Sequence, residues 1–580
     1  MSRNRDAVKR ILKYISAYKG FVAGAVACAF LSVVTSLAGP LLIGLSIDSM
    51  FGRNAVNFNS IMRILIALAF IYVVNSLVIW LLTYLTNSIS YRTVNAMRRD
   101  LFRKINTLPL KFYDRNPHGD TISRFVNDMD AIGDGMLQGI SALLTGVFTI
   151  SGTIGFMLYI NPLMALVVIL SAPVSFLVAR FIATRSQQMF KEQAKSLGRL
   201  NGYVEEMIGG QKVVQSFSFE QHSFRQFSSI NSELHKAGIK AQFYSSLTNP
   251  ATRIVNNITY AITGIIGSVN AILGNITVGD ISSFLIYSNL FSKPFNEITG
   301  VLTQIQAAAA SARRIFGIMD MECEKTDGPE AVQIKHPTGA LGFEEVFFAY
   351  DPKNPLIKNF NLSVKPGSRI AIVGKSGAGK TTLVNLLMRF YDVDSGKICV
   401  DGTAIDNITR TSLRRCFGMV LQDTWLFEGS IRDNIAYGRP EAGEQEIIDA
   451  AKAAGAHSFI KRLHNGYDTL ITSAGENLSQ GQKQLLTIAR VMLVNPPMLI
   501  LDEATSSIDT MTEIRIQKAF LKMIEGRTSF VIAHRLSTIR ESDLILVMDQ
   551  GNIVESGTHD ELLKRGGHYA KLYSSQFEKA

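Results

Sequence analysis

Residues 20–47 contain no charged side chain, and neither do residues 64–91. A bilayer core needs about 20 apolar residues in helical form, so each run is long enough to cross a membrane. Residues 135–179 are uncharged for long enough to make two crossings, 135–160 and 162–180, with the Asn-Pro pair at 161–162 as the turn between them. Residues 254–279 make a fifth. A sixth, about 281–312, starts after Asp280 and is interrupted by Lys293, Pro294 and Glu297. A buried helix of a soluble protein rarely stays uncharged for so long, so the first part of the chain is expected to be an all-α six-helix transmembrane domain spanning residues 1–320.

The formal net charge of +11 could suggest a nucleic-acid partner, but the basic residues flank the apolar runs. Arg3, Arg5, Lys9, Arg10, Lys13 and Lys19 precede the first run. Arg92, Arg98, Arg99, Arg103 and Lys104 follow the second, and Arg180, Arg185, Lys191, Lys195 and Arg199 follow the fourth. The opposite connections carry almost none. That asymmetry places the basic loops and both termini in the cytoplasm, for a multi-pass protein of the cell membrane with the lipid bilayer as its first partner. No nucleic-acid partner is expected, since a binding groove would interleave Lys and Arg with aromatics on a soluble face. The first apolar run is too long for a signal peptide, so no segment is expected to be removed. Cys28, Cys323, Cys399 and Cys416 are widely spaced and indicate neither a disulfide framework nor a zinc site.

Ahead of the first crossing, Val8, Ile11, Leu12 and Ile15 recur at helical spacing among basic residues. This fits a short amphipathic helix on the inner membrane surface better than a solvated, charged start to a helix. Two cytoplasmic excursions, 92–134 and 180–253, are helix-compatible and much longer than a connecting loop. At 1.5 Å rise per residue, such helices reach tens of ångströms beyond the membrane, where a bend could touch a soluble domain. Residues 116–120, with Pro117 and Gly119, and the pair Gly209-Gly210 are the bend candidates.

Residues 321–340 turn polar and contain Gly328, Pro329, Pro337 and Gly339, which marks a linker. Beyond it, residues 341–580 alternate strand-like runs such as IAIVG and MLILD with helical stretches, predicting an α/β domain with a largely parallel core sheet. Its densest motif is GKSGAGKTT, residues 374–382, set between IAIVG and the helical LVNLLMRF. Gly374, Gly377 and Gly379, with Lys375, Ser376 and Ala378 between them, let main-chain N–H groups and a helix N-terminus face an anion. Lys380 supplies a point charge for the β and γ phosphates of ATP. Thr381 offers a hydroxyl to Mg²⁺, Thr382 follows it, and the strand-end Asp502 supplies a carboxylate to the ion or its waters. Glu503, next in the chain, is placed to polarise the water that attacks the γ phosphate, a general base. His534 follows the apolar run TSFVIA and would end a neighbouring strand.

These residues, in this order, resemble an ATP-binding cassette exporter with six membrane spans fused ahead of one α/β P-loop ATP-binding cassette domain. The resemblance rests on the phosphate loop, Gln422 in VLQD, the signature LSQGQ at 478–482, the run LILDEATSSID ending in Asp509, and His534. It implies that Ser479, Gln480, Gly481 and Gln482 of one chain close over ATP held by the phosphate loop of another, so that a lone chain is inactive. It further implies that Tyr350 stacks on adenine and that Gln422 senses Mg²⁺ and the membrane domain. Asp509 would couple the two sites, and His534 would contact the γ phosphate, joining Glu503 in catalysis. The stretch TSAGEN, with Glu476, matches the segment that meets the cytoplasmic bends.

Gln480 departs from the glycine most common at its position. LSQGQ thereby resembles the competent half of heterodimeric bacterial multidrug exporters, which favours a heterodimer with a second half-transporter over a homodimer. The function implied is ATP-driven export of small amphipathic or hydrophobic compounds by alternating access, with a homodimeric lipid flippase and an ATP-gated channel as alternatives. For the substrate, Asn289, Lys293 and Glu297 fall on one stripe of the sixth span beside Pro294 and are expected to face the cavity. Lys293 and Glu297 fit equally well as an internal ion pair or as the point where the span leaves lipid.

Overall fold

The uncharged runs are helices, several of which continue well past a bilayer's thickness. The computed structural model describes residues 2–50, 56–375, 377–422, 424–472, 477–502, 509–533 and 536–577. In chain order the helices of the first part are α1 (Ser2–Ile15), α2 (Lys19–Asp48), α3 (Phe58–Ile105), α4 (Leu110–Arg115), α5 (His118–Ser123), α6 (Met129–Ile160), α7 (Pro162–Gly209), α8 (Gln211–Ser216), α9 (Glu220–Ser246), α10 (Thr248–Ile272) and α11 (Val278–Met319). Two compact units result, one of Met1–Thr107 with Asn116–Glu322 and the other of Leu108–Arg115 with Cys323–Ala580.

In the first unit, the Asn161-Pro162 turn falls between α6 and α7. Pro162 opens α7 where a missing N–H costs nothing, and the Asn161 side chain accepts from the N–H groups of Leu163 and Met164 at 3.0 and 3.1 Å. The bend at Gly209-Gly210 separates α7 from α8. Among the described residues, four helical segments are long and apolar enough to cross a membrane: Asp6–Asp48, Phe58–Ile105, His118–Ile160 and Pro162–Gly209. The expected fifth and sixth crossings fall on α10 and α11, which are more polar; α10 carries Arg253, Asn256, Asn257 and Asn270, and α11 carries Lys293.

Helices α6 and α11 approach closely at Gly135, which faces the Gln304 backbone and the Ala308 side chain, and at Gly139, which faces the Ile305 side chain. Without a hydrophobic driving force in lipid, close approach of this kind is what holds helices together. Helix α2 is joined to α11 by polar contacts along its C-terminal half. The Tyr287 hydroxyl donates to the Leu37 carbonyl at 2.6 Å, Ser283 to Pro40 at 2.8 Å, and Thr277 to the Asp48 carboxylate at 2.7 Å. Phe156 stacks on Tyr287 with ring centroids 5.3 Å apart, closing a core that also holds Met157, Met164, Val168, Phe284 and Phe291. Helix α1 buries Ala7 and Ile11 and leaves Val8 and Leu12 exposed. Its Arg10 pairs with Asp320 at 2.6 Å and lies over the Phe316 ring, so α1 is fastened to the end of α11.

The second unit holds β1 (Leu341–Phe348), β2 (Ile357–Val364), β3 (Arg369–Val373), β4 (Ser395–Val400), β5 (Thr403–Ala404), β6 (Phe417–Val420), β7 (Gly429–Ser430), β8 (Leu470–Ile471), β9 (Met498–Asp502), β10 (Thr528–Ile532), β11 (Leu544–Asp549) and β12 (Asn552–Gly557). The main sheet has the order β12-β11-β3-β10-β9-β6, parallel except at β12, and β3, β9 and β10 are almost wholly buried apolar runs, as strands covered on both faces must be. A second, antiparallel sheet runs β2-β1-β4-β5.

The segment before β1 lies against this unit. Glu324 pairs with Arg414 at 2.6 Å and Asp327 with Arg410 at 3.0 Å. The Asp401 carboxylate gathers the N–H groups of Thr338, Gly339 and Ala340 together with the Thr338 hydroxyl. Burial alone would raise the Asp401 pKa, but those donors stabilise its anion and hold it below the ordinary value.

Candidate nucleotide site

The C-terminal ends of the parallel strands define the site. Strand pairing sets Ile372 of β3 level with Ile532 of β10, and Ile532 level with Asp502 of β9. Immediately beyond β3 the chain turns through residues 374–379 into the helix Lys380–Leu387. Gly379 makes that turn with φ +99°, and a side chain there would press on the Gly551 backbone at 3.2 Å.

A cavity of about 510 Å³ opens at this edge. Gly374, Lys375, Gly377, Ala378, Gly379, Lys380, Thr381 and Thr382 line it together with Gln422 and Asp502. The phosphate-loop and metal candidates among the described residues are thus in one place. Lys380 donates to the carbonyls of Gly374 at 2.5 Å and Lys375 at 3.3 Å, which folds its ammonium back over the loop. Burial lowers its pKa from the usual lysine value, with the negative charge of Asp502 opposing the shift. Such a half-buried cation gains most from a polyanion that restores its lost hydration.

Tyr350 is one hydrogen bond from the cavity wall. Its hydroxyl lies 3.3 Å from that of Thr382 and accepts from the Asn385 amide at 3.2 Å, and its ring packs edge-on to Tyr391. Helix α4, from the segment between the second and third apolar runs, belongs to this unit. Its Arg115 donates to the Tyr350 carbonyl at 3.2 Å, and its Asp114 accepts from the Tyr391 hydroxyl. Burial, and then the bond to Asp114, raise the Tyr391 pKa above its usual value.

The signature residues are elsewhere in the unit. Ser479 caps the helix Gln480–Val494, its hydroxyl accepting from the Gln482 N–H at 3.3 Å while the Gln482 side chain accepts from the Ser479 N–H at 2.9 Å. This reciprocal cap leaves Ser479 and Gln480 exposed at a helix N-terminus, and none of residues 479–482 lines the cavity. Gln480, the unusual residue, reaches the Thr424 hydroxyl at 3.4 Å, two positions beyond Gln422. Asp509 caps the helix Thr510–Ile524 through the Thr512 N–H at 2.9 Å, a bond that lowers its pKa. Ser376, Glu476, Glu503 and His534 lie outside the described residues, as do the side chains of residues 295–300, which include Glu297. Asn289 and Lys293 are exposed on α11.

Sequence reasoning missed one wall of the cavity. Tyr569, Leu572 and Tyr573 line it from the helix His568–Phe577. Their i, i+3, i+4 spacing marks an apolar helix face, the one signal that could have drawn attention to them.

The chain matches two family models, the ABC transporter transmembrane region over residues 22–295 and the ABC transporter domain over residues 357–506. A fatty acid ABC transporter ATP-binding/permease protein of Mycobacterium bovis is 43% identical over 530 residues, covering 90% of this chain and 84% of that protein. An ATP-dependent lipid A-core flippase of Syntrophus aciditrophicus is 36% identical over 586 residues, covering 100% and 96% respectively. Among solved structures, a bacterial Atm1-family ABC exporter with ATP bound superposes with a TM-score of 0.79 at 29% identity, over 97% of this chain and 99% of that one. The chain belongs to the ABC transporters as an exporter whose membrane region is fused ahead of its ATP-binding domain, an ATPase coupled to transport.

Proposed function

We propose that this protein exports amphipathic or hydrophobic compounds across the cell membrane by ATP-driven alternating access, paired with a second half-transporter. The observation that carries the reading is the separation of the phosphate-loop cavity from the exposed signature helix N-terminus at Ser479. A helix N-terminus with free N–H groups suits a γ phosphate, and here it is presented outward, where a second cassette's nucleotide could reach it. Closure of two cassettes over ATP then supplies the two-state element that transport needs. Thr381, Gln422 and Asp502 share the cavity wall and form an oxygen donor set suited to Mg²⁺, which when bound neutralises phosphate charge. Glu503 is the general base in this scheme and His534 a γ-phosphate contact, with Ser376 completing the loop, Tyr350 meeting adenine, and Glu476 and Asp509 in coupling.

The basic loops put both termini and the ATP-binding domain in the cytoplasm. The relatives named above act on fatty acid and lipid A, which favours a lipid-like substrate as the second reading. The heterodimeric reading rests on Gln480 alone, and the comparisons add no support to it.

The test is ATP hydrolysis and efflux in lipid vesicles, with the chain alone and co-expressed with its genomic neighbour, each beside Glu503→Gln. Activity of the chain alone that disappears with the substitution establishes a homodimer, whereas activity only with the neighbour establishes a heterodimer. Activity that survives Glu503→Gln removes the assigned base.

Helix α4 gives a further expectation. Asp114→Asn together with Tyr391→Phe removes the link beside Tyr350 while sparing the phosphate loop. Nucleotide affinity is expected to stay within about twofold, and the substrate moved per ATP to fall by about threefold to tenfold, the range of an ordinary coupling energy. Parallel transport and ATPase assays check this, and a fall in affinity with unchanged stoichiometry contradicts it.

A further inference from the structure

Helix α10 has three faces. Thr252, Thr259, Thr263 and Gly267 are buried against the bundle. Ile254, Ile258, Ile262, Ile265, Val269 and Ile272 form an exposed row at i, i+4, i+8, i+11, i+15 and i+18. Between the two runs a third strip with Arg253, Asn257 and Ser268, and with the small residues Ala261 and Gly264 along it. The isoleucine row alone would be an ordinary lipid-facing surface, but a polar strip beside it with a cation at its end is not. Arg253 is exposed and makes no hydrogen bond or ion pair among the described residues.

The neighbouring helix brings a second cation to the same depth. A methyl at Gly267 would touch Ile281 of α11 at 3.3 Å, which fixes the register of the antiparallel pair. From that contact, at 1.5 Å rise per residue, Arg253 lies about 21 Å and Lys293 about 18 Å away from the turn joining the helices. Asn257 and Asn289 lie about 15 and 12 Å along, one helical turn nearer to it. Both cations are exposed, with the amides just above them. Counted from the helix ends at the turn, Ile272 and Val278, the two cations are about 23 to 29 Å deep, towards the far side of a hydrocarbon core of about 30 Å.

We infer that this surface binds a membrane-resident amphiphile with an anionic head, the head on Arg253 and Lys293 with Asn257 and Asn289 as further donors, and the alkyl chain along the isoleucine row. A guanidinium and an ammonium at one level complement a carboxylate or phosphate, and an isoleucine ridge complements a chain. The inference rests on the exporter reading and names its substrate class. With the proposed orientation the head enters from the cytoplasmic leaflet.

The experiment uses the full protein in phosphatidylcholine nanodiscs and vesicles, with oleate, oleyl alcohol and oleylamine as probes and acetate and inorganic phosphate as headgroup-only controls. Readouts are ATPase stimulation, movement across the vesicle membrane, and crosslinking of a photoreactive oleate mapped to peptides of α10 and α11. Oleate is expected to stimulate and to crosslink. Arg253→Gln should raise its half-maximal concentration by about tenfold, as loss of one charged hydrogen-bonding partner does. Arg253→Lys should keep most of the response, which separates loss of charge from misfolding.

Equal stimulation by oleylamine or oleyl alcohol overturns the inference, as does an unchanged response in Arg253→Gln. Stimulation by acetate or phosphate alone shows a free-anion site and overturns it too. The underlying reading fails differently: if no probe moves in a Glu503-dependent way, the chain does not export amphiphiles, whatever oleate does at Arg253. Glu503-dependent movement of oleylamine with no response to oleate keeps the exporter and removes the anionic class.

Discussion

Replacing Lys380 with alanine is expected to lower ATP hydrolysis by about 100-fold or more, the scale on which a charge aimed at a developing transition-state anion contributes. The loop itself should survive, because its turn is set by the glycines and by the helix Lys380–Leu387, in which alanine is at least as good a helix former as lysine. The same lysine gives the wild type a pH signature. Only its ammonium form holds phosphate, and burial has already moved its pKa down. Nucleotide affinity is therefore expected to be full at neutral pH and to weaken as pH rises through that lowered pKa, sooner than with an ordinary lysine. The γ phosphate is fully ionised above about pH 8, so its own titration does not mask the trend. Lys380→Arg should flatten the alkaline decline even if turnover drops. Fluorescent-nucleotide binding between neutral and alkaline pH measures both, and an alkaline decline of the same size in Lys380→Arg contradicts the assignment.

What could be read in the sequence was local in the chain. The phosphate loop is consecutive, so strand, glycines, lysine and helix could be assembled from one short stretch, and the cavity wall holds the same residues. Four helices long and apolar enough to cross a membrane were equally plain, since lipid favours long uncharged runs. Contacts between distant residues were not legible. The Pro- and Gly-containing segment 321–340 reads as a free linker, yet Glu324 and Asp327 meet Arg414 and Arg410, partners that no local pattern announces. For the same reason, nothing around Asp114 in the sequence points to Tyr391. The division of α10 into packed, apolar and polar faces needed burial to separate threonines that pack from an arginine that does not.

The close approach of α6 and α11 makes Gly135 a position in the membrane unit where a very small chemical change should do large damage. A methyl there would stand 2.5 Å from the Ala308 side chain and 3.0 Å from the Gln304 carbonyl, and the second of these obstacles is backbone. Gly135→Ala is expected to destabilise by about 1–3 kcal/mol through overpacking, and Gly135→Leu to cost well above that and leave little folded protein. The effect should be specific to the pairing. Ala308→Gly removes the nearer obstacle, so the double variant Gly135→Ala with Ala308→Gly should recover most of the loss, leaving the 3.0 Å approach to Gln304, which a shift of a few tenths of an ångström relieves. If instead the two substitutions add, the glycine matters for the backbone of α6 alone, and the α6–α11 seam is not what holds the helices together. Thermal unfolding of the detergent-solubilised single and double variants, followed by fluorescence-detected size exclusion, decides between the two. The seam joins α6 to α11, the helix that precedes the ATP-binding domain in the chain. Transport is therefore expected to fall before ATP hydrolysis does as the seam is loosened.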